Sequence, residues 1–144
     1  MFFKKHYFSV ILTVFTVFSG SSQDYFLESK EPFNPEIPSP EVFLGYAIGE
    51  QHTRHDLIVA YFEKLAEISD RATIEVYGKT HEHRKLVMLS VSSHENLQNL
   101  NSLQESHLKF SNPNLSPTNY NEIPIFINLG YGVHGNEPSS SETA

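Results

Sequence analysis

The chain has 144 residues, with 39% hydrophobic and 19% charged side chains, a mix that excludes collagen, low-complexity sequence and a strongly charged disordered tail. Ten Lys+Arg against seventeen Asp+Glu leave a formal net charge of −7, which speaks against nucleic-acid binding, since that needs clustered positive charge. No cysteine is present, so disulfides, thiolate metal sites, a cysteine nucleophile and a lipidated N-terminal cysteine are all ruled out.

The first elements concern export. Lys4 and Lys5 form a short positive region, residues 7–18 are apolar or Ser/Thr, and Gly20, Ser21 and Ser22 supply small residues. That order is the order of a secretory signal, and the apolar run falls short of the ~20 residues that span a bilayer. The expectation is a signal peptide over residues 1–22, cleaved after Ser22 with Gly20 and Ser21 as alternatives. The product is secreted or periplasmic and keeps no stable membrane anchor. Residues 23–48 carry Pro32, Pro35, Pro38 and Pro40 and are expected to run extended over a surface.

From His52 to Ser69 the pattern is helical. Thr53 and Asp56 have the spacing of a capping box, and Leu57, Ile58, Tyr61, Leu65 and Ile68 mark one buried stripe. Thr73–Tyr77 and Leu86–Val91 read as two strands joined by a polar connection, hence a hairpin. Ser92 and Glu95 announce another helix, with Leu97, Leu100, Leu103 and Leu108 as its stripe. Residues 112–122, with Pro113 and Pro117, read as a loop. Ile123-Pro124-Ile125-Phe126-Ile127-Asn128-Leu129 is nearly continuous in apolar character and predicts a strand buried on both faces. Gly130, Gly132 and Gly135 punctuate the following turn. Pro138 suits a first helical turn, and Ser139 and Glu142 again have capping-box spacing. The text stops about one turn into that helix, so the expectation is an N-terminal fragment whose sheet keeps an unpaired edge.

The chemistry concentrates at His134-Gly135-Asn136-Glu137. Hydrolytic zinc wants nitrogen and oxygen ligands and an open position for water. His134 offers an imidazole, Glu137 a carboxylate, and Gly135 lets the backbone bend close to a metal. Residues three apart share a side where the chain turns helical, and ligands bind at the carboxyl ends of strands in α/β sheets. In a chain with eight histidines His-x-x-Glu also arises by chance, and a surface loop with an exposed His and a helix-starting Glu is the open alternative. His52 with His55, and His81 with His83, have spacings that can share a metal but lack a neighbouring carboxylate, and read as solvated surface histidines. Arg84 reads as a hairpin anchor through a salt bridge. Tyr61, Phe62 and Leu65 read as core. Neither His-Glu-x-x-His nor Gly-x-Ser-x-Gly occurs.

The stretch Ile123 to Ala144, IPIFINLGYGVHGNEPSSSETA, resembles the first metal motif of the M14 zinc carboxypeptidase family, an apolar strand running into His-x-x-Glu and then a helix. His52-Thr53 with the Leu57–Leu65 helix is similar to that family's first helix. Val76-Tyr77-Gly78-Lys79-Thr80 and Arg84, with the strand that follows, are similar to its early hairpin. Residues 92–108 resemble a segment of a bacterial branch of large members. The resemblance covers residues 49–144, the N-terminal part of a peptidase domain. It implies an α/β fold, a mixed sheet flanked by helices, incomplete in this chain. It implies one zinc ion, Zn2+, with His134 and Glu137 as its first two ligands, a third ligand and a general base beyond Ala144, and a peptide substrate cut at its C-terminus. Asn136, where many digestive members carry arginine, is the implied substrate-binding position. Two alternatives stand beside this reading: a non-catalytic secreted binding module, and an amide hydrolase of the same fold acting on cell-wall or acylated substrates.

Overall fold

A computed structural model describes residues 34–115 and 123–144. All but the first of these lie in one compact unit, Pro35–Ala144. The expected signal peptide, the segment 23–33 and residues 116–122 of the expected loop lie outside the described residues.

The proline-rich segment is not extended throughout. Pro40 takes the first position of a short helix, α1 (Pro40–Leu44), where its missing N–H costs nothing. Ser39 caps it, its hydroxyl accepting from the Val42 N–H, and Gly45 at φ 81° closes it in the left-handed region that favours glycine. The long helix α2 (His55–Ile68) follows. It starts later than the sequence predicts. Arg54 stands at the cap position with no side-chain capping bond, and Thr53 is instead 3% exposed and tied into the interior.

Strands β1 (Ala72–Lys79) and β2 (Lys85–Val91) form the expected antiparallel hairpin. The register runs from Ala72 opposite Val91 to Lys79 opposite Lys85, with Tyr77 as the extra residue of a bulge between Val76 and Gly78. Its connection closes through the Thr80 N–H to the Arg84 carbonyl at 2.9 Å and the His83 N–H to the Thr80 carbonyl at 2.9 Å, with His83 at φ 63°. Helix α2 packs across both strands. Val59 on α2, 6% exposed, and Ala72 on β1 are the buried apolar side chains among the described residues, while Phe43 and Tyr61 join α1 to α2 with ring centroids 5.2 Å apart. The predicted stripe on α2 is half-buried and omits Val59, the residue that goes deepest.

The next helical signal resolves into two pieces, α3 (His94–Gln98) and α4 (Leu100–Phe110), divided at Asn99. Ser93, not Ser92, caps α3. Leu97, Leu100 and Leu103 are half-buried, whereas Leu108 is exposed. The last helix, α5 (Ser139–Thr143), is one short turn with Pro138 at its cap position.

One expectation is overturned. Residues 123–129 are not a sheet strand, and the sheet of the described residues has two strands only. The run is strand-free and its side chains are open: Ile125 is 88% and Ile127 79% exposed, and Leu129 is exposed as well. Phe126 meets His107 in a tilted ring contact with centroids 4.9 Å apart. The reason is physical. An apolar run drives burial, but a strand forms only where the run is brought into register along a sheet edge, which apolar composition does not specify. The fold is thus of the mixed α/β class, helices with a small antiparallel sheet. No helix among the described residues is long and apolar enough to cross a membrane.

The two environments predict opposite responses. Val59→Ala removes two buried carbons and is expected to destabilise the fold by about 2 kcal/mol. Ile127→Lys is expected to change stability by no more than about 0.5 kcal/mol while reducing self-association. Urea unfolding and light scattering of the two variants check both statements.

Candidate functional site

The expected metal motif lies in a turn rather than on a helix. The Glu137 N–H donates to the His134 carbonyl at 3.1 Å, and Gly132 at φ 69° supplies the bend before it. This turn puts His134, Gly135 and Glu137 on one wall of an open cavity of about 670 Å³. Asn136 is not part of that wall. The opposite wall is built by the first turns of α2 and the end of the hairpin.

A long-range clasp sets the two walls against each other. The Glu142 carboxylate accepts from the Thr53 N–H at 2.7 Å and from the Gly49 N–H at 3.1 Å. The Thr53 hydroxyl accepts from the Tyr46 hydroxyl at 3.0 Å. Glu142 therefore does not cap its own helix, as its spacing from Ser139 predicts. Two backbone donors in the chain before α2 claim it. Those hydrogen bonds, from Thr53 first and Gly49 next, hold its carboxyl below the usual carboxylate range.

Charges around the cavity are mostly matched in place. Arg54 holds Asp56 through both Nε (3.0 Å) and Nη2 (2.5 Å), which lowers the Asp56 pKa and raises that of Arg54. Lys85 on β2 reaches Glu63 on α2 at 2.5 Å. His55 sits 2.9 Å from the Lys85 carbonyl through Nε2. A carbonyl only accepts, so this nitrogen carries the proton, and a neutral His55 keeps its lone pair on Nδ1.

The structure thus places His52 and His55 in the cavity that also holds His134 and Glu137. Sequence spacing gave no sign of this, because the clasp that brings residues 49–53 to α5 is a single Glu142 side chain. His81 belongs to the exposed hairpin connection, as does His83. Arg84 makes the salt bridge expected of it, 2.6 Å to Glu82, but also lines the cavity, which its position in sequence did not reveal.

As a metal site the motif is chemically apt and incomplete. His134 and Glu137 offer the nitrogen and oxygen donors that zinc takes. Among the described residues no group of three His, Cys, Asp or Glu side chains converges closely enough to hold an ion. No family model, no curated protein and no solved structure matches the chain.

The clasp has a testable pH signature. Glu142 titrates below its ordinary 4.5, so its stabilising effect is complete above that pH and is lost as the pH falls through the lower folded value. Glu142→Gln is expected to flatten the acid limb of the stability curve below pH 4.5 and leave the neutral-to-basic limb unchanged in shape, as read by thermal melts across pH.

Proposed function

We propose that residues 49–144 are the N-terminal part of a zinc-dependent metallocarboxypeptidase, a secreted or periplasmic hydrolase that removes residues from peptide C-termini. The observation that carries this reading is the shared wall: an apolar extended run leads into a tight turn that presents His134 and Glu137 to one cavity. The reading assigns the third ligand and the general base to sequence beyond Ala144.

In this reading His134 and Glu137 hold the ion, and zinc bound there supplies a Lewis acid that polarises the scissile carbonyl and acidifies water. The chain's own contribution is orientation. The hydrogen bond from the Glu137 N–H to the His134 carbonyl fixes the separation of the two ligands, and Gly135 leaves the approach free of a side chain. The Glu142 clasp holds the wall opposite α2 and so keeps the cavity open to a peptide. Asn136, outside the wall, is proposed to meet substrate only at the rim.

A non-catalytic binding module is the second reading. It rests on the open cavity itself, which can seat a ligand whether or not a metal ion is held.

One experiment separates the two. The full-length protein, supplied with zinc, is incubated with an N-blocked peptide, and released C-terminal residues are measured. The enzyme reading expects release that a zinc chelator stops and that His134→Ala or Glu137→Ala lowers by roughly a hundredfold or more. Full activity in both variants, or no release by the wild type, overturns it. The 144-residue chain alone is expected to hydrolyse nothing and to bind zinc weakly, as titration with a competing chelator will read.

A further inference from the structure

Of the imidazoles that line the cavity, the fold holds one differently from the rest. His52 and His134 are exposed, whereas His55 is half-buried at the first position of α2. Its Nε2 lies 2.9 Å from the Lys85 carbonyl on the hairpin. That carbonyl belongs to the end of the β1–β2 ladder, where Lys85 is registered opposite Lys79. The Lys85 ammonium is held in turn by Glu63, further along α2. Lys85 therefore meets α2 at two points, and the ring is anchored on ordered backbone. The adjacent carboxylate, Asp56, is committed to Arg54 through both of its oxygens. An imidazole whose one nitrogen donates to a backbone carbonyl offers the other as an acceptor, and its orientation is set in advance.

We infer that His55 is a ligand-binding residue of this cavity, its Nδ1 accepting a hydrogen bond from an N–H or O–H group of the bound molecule. The cavity selects a hydrogen-bond donor on this side, because an analogue without the donor leaves a desolvated acceptor unpaired. His134 and Glu137 stand on the opposite wall, so a molecule bonded to His55 occupies the space between the walls. The inference rests on the proposed hydrolytic reading for a peptide ligand, but not for the donor preference itself. A peptide offers both kinds of donor, the backbone N–H and a side-chain hydroxyl.

The test uses the full-length protein with isotope-labelled histidine, treated with chelator so that no probe is cleaved. The probes are N-acetyl-seryl-leucine dimethylamide, its O-methyl ether, and the same peptide methylated on its backbone N–H groups. Binding is read by calorimetry and by the Nδ1 resonance of His55. One methylated form is expected to bind about tenfold more weakly than the parent, and which one identifies the donor. The Nδ1 resonance is expected to move when the parent binds. His55→Gln keeps an amide N–H for the Lys85 carbonyl but places no acceptor at Nδ1, so it is expected to lose the preference. A merely structural histidine would be replaced by glutamine without that loss. Equal binding of the three probes, binding of none, an Nδ1 resonance unmoved by the bound parent, or a preference that survives in a folded His55→Gln overturns the inference. If His55→Gln does not fold, the resonance decides. Donor preference without hydrolysis would remove the proposed enzyme function alone, and hydrolysis without preference would remove this inference alone.

Discussion

Two backbone N–H groups, of Gly49 and Thr53, lie ahead of a helix whose cap position makes no side-chain hydrogen bond, and both are satisfied by one carboxylate from the far end of the chain. The N–H of buried Thr53 must find an acceptor, Glu142 is the acceptor it finds, and the exposed Gly49 N–H joins the same carboxylate. The rest of the site follows from that need. Once Glu142 is taken, α5 lies beside the start of α2, and the turn at 134–137 faces the helix. Thr53, drawn inward, becomes the buried polar side chain at the junction, with Tyr46 completing its bonds. The cavity is the space these constraints leave.

Inside that space the charges are arranged by neighbours rather than by sequence class. The chain is acidic as a whole, yet the wall from α2 and β2 carries Arg54, Lys85 and Arg84. Each of these cations has a carboxylate partner: Asp56, Glu63 and Glu82. His55 directs Nε2 at the Lys85 carbonyl, so the strand that supplies a cation also orients an imidazole.

Local structure was largely legible in the sequence. Alternation over Thr73–Tyr77 and Leu86–Val91 marked the hairpin, helical spacing marked α2, and Ser-x-x-Glu located the start of α3 to within one residue. These signals act over a few residues, where propensity and capping decide. What was not legible acts over distance. Thr53 and Asp56 look like a capping box, but Thr53 serves a tertiary bond and Asp56 serves Arg54. Pro40 looked like an extended-chain residue and opens α1, because proline is equally at home at a first helical position. The run Ile123–Leu129 had the composition of a buried strand, and composition says nothing about whether a partner strand is free to receive it. The pairing of His134 with Glu137 on one wall was readable from their spacing. The company of His52, His55 and Arg84 was not, since it depends on a fold-level contact.

The clasp spans 89 residues to Thr53 and 93 to Gly49. Closing so long a loop costs chain entropy that only the finished contact repays, so such contacts form late and open early compared with a local hairpin. The two sides of the cavity consequently have different lifetimes. On that ground the α2–hairpin side is expected to outlast the contact that holds the side bearing His134 and Glu137. The amide protons of Gly49 and Thr53 are the clock of that contact, exchanging with solvent each time the far end of the chain lets go.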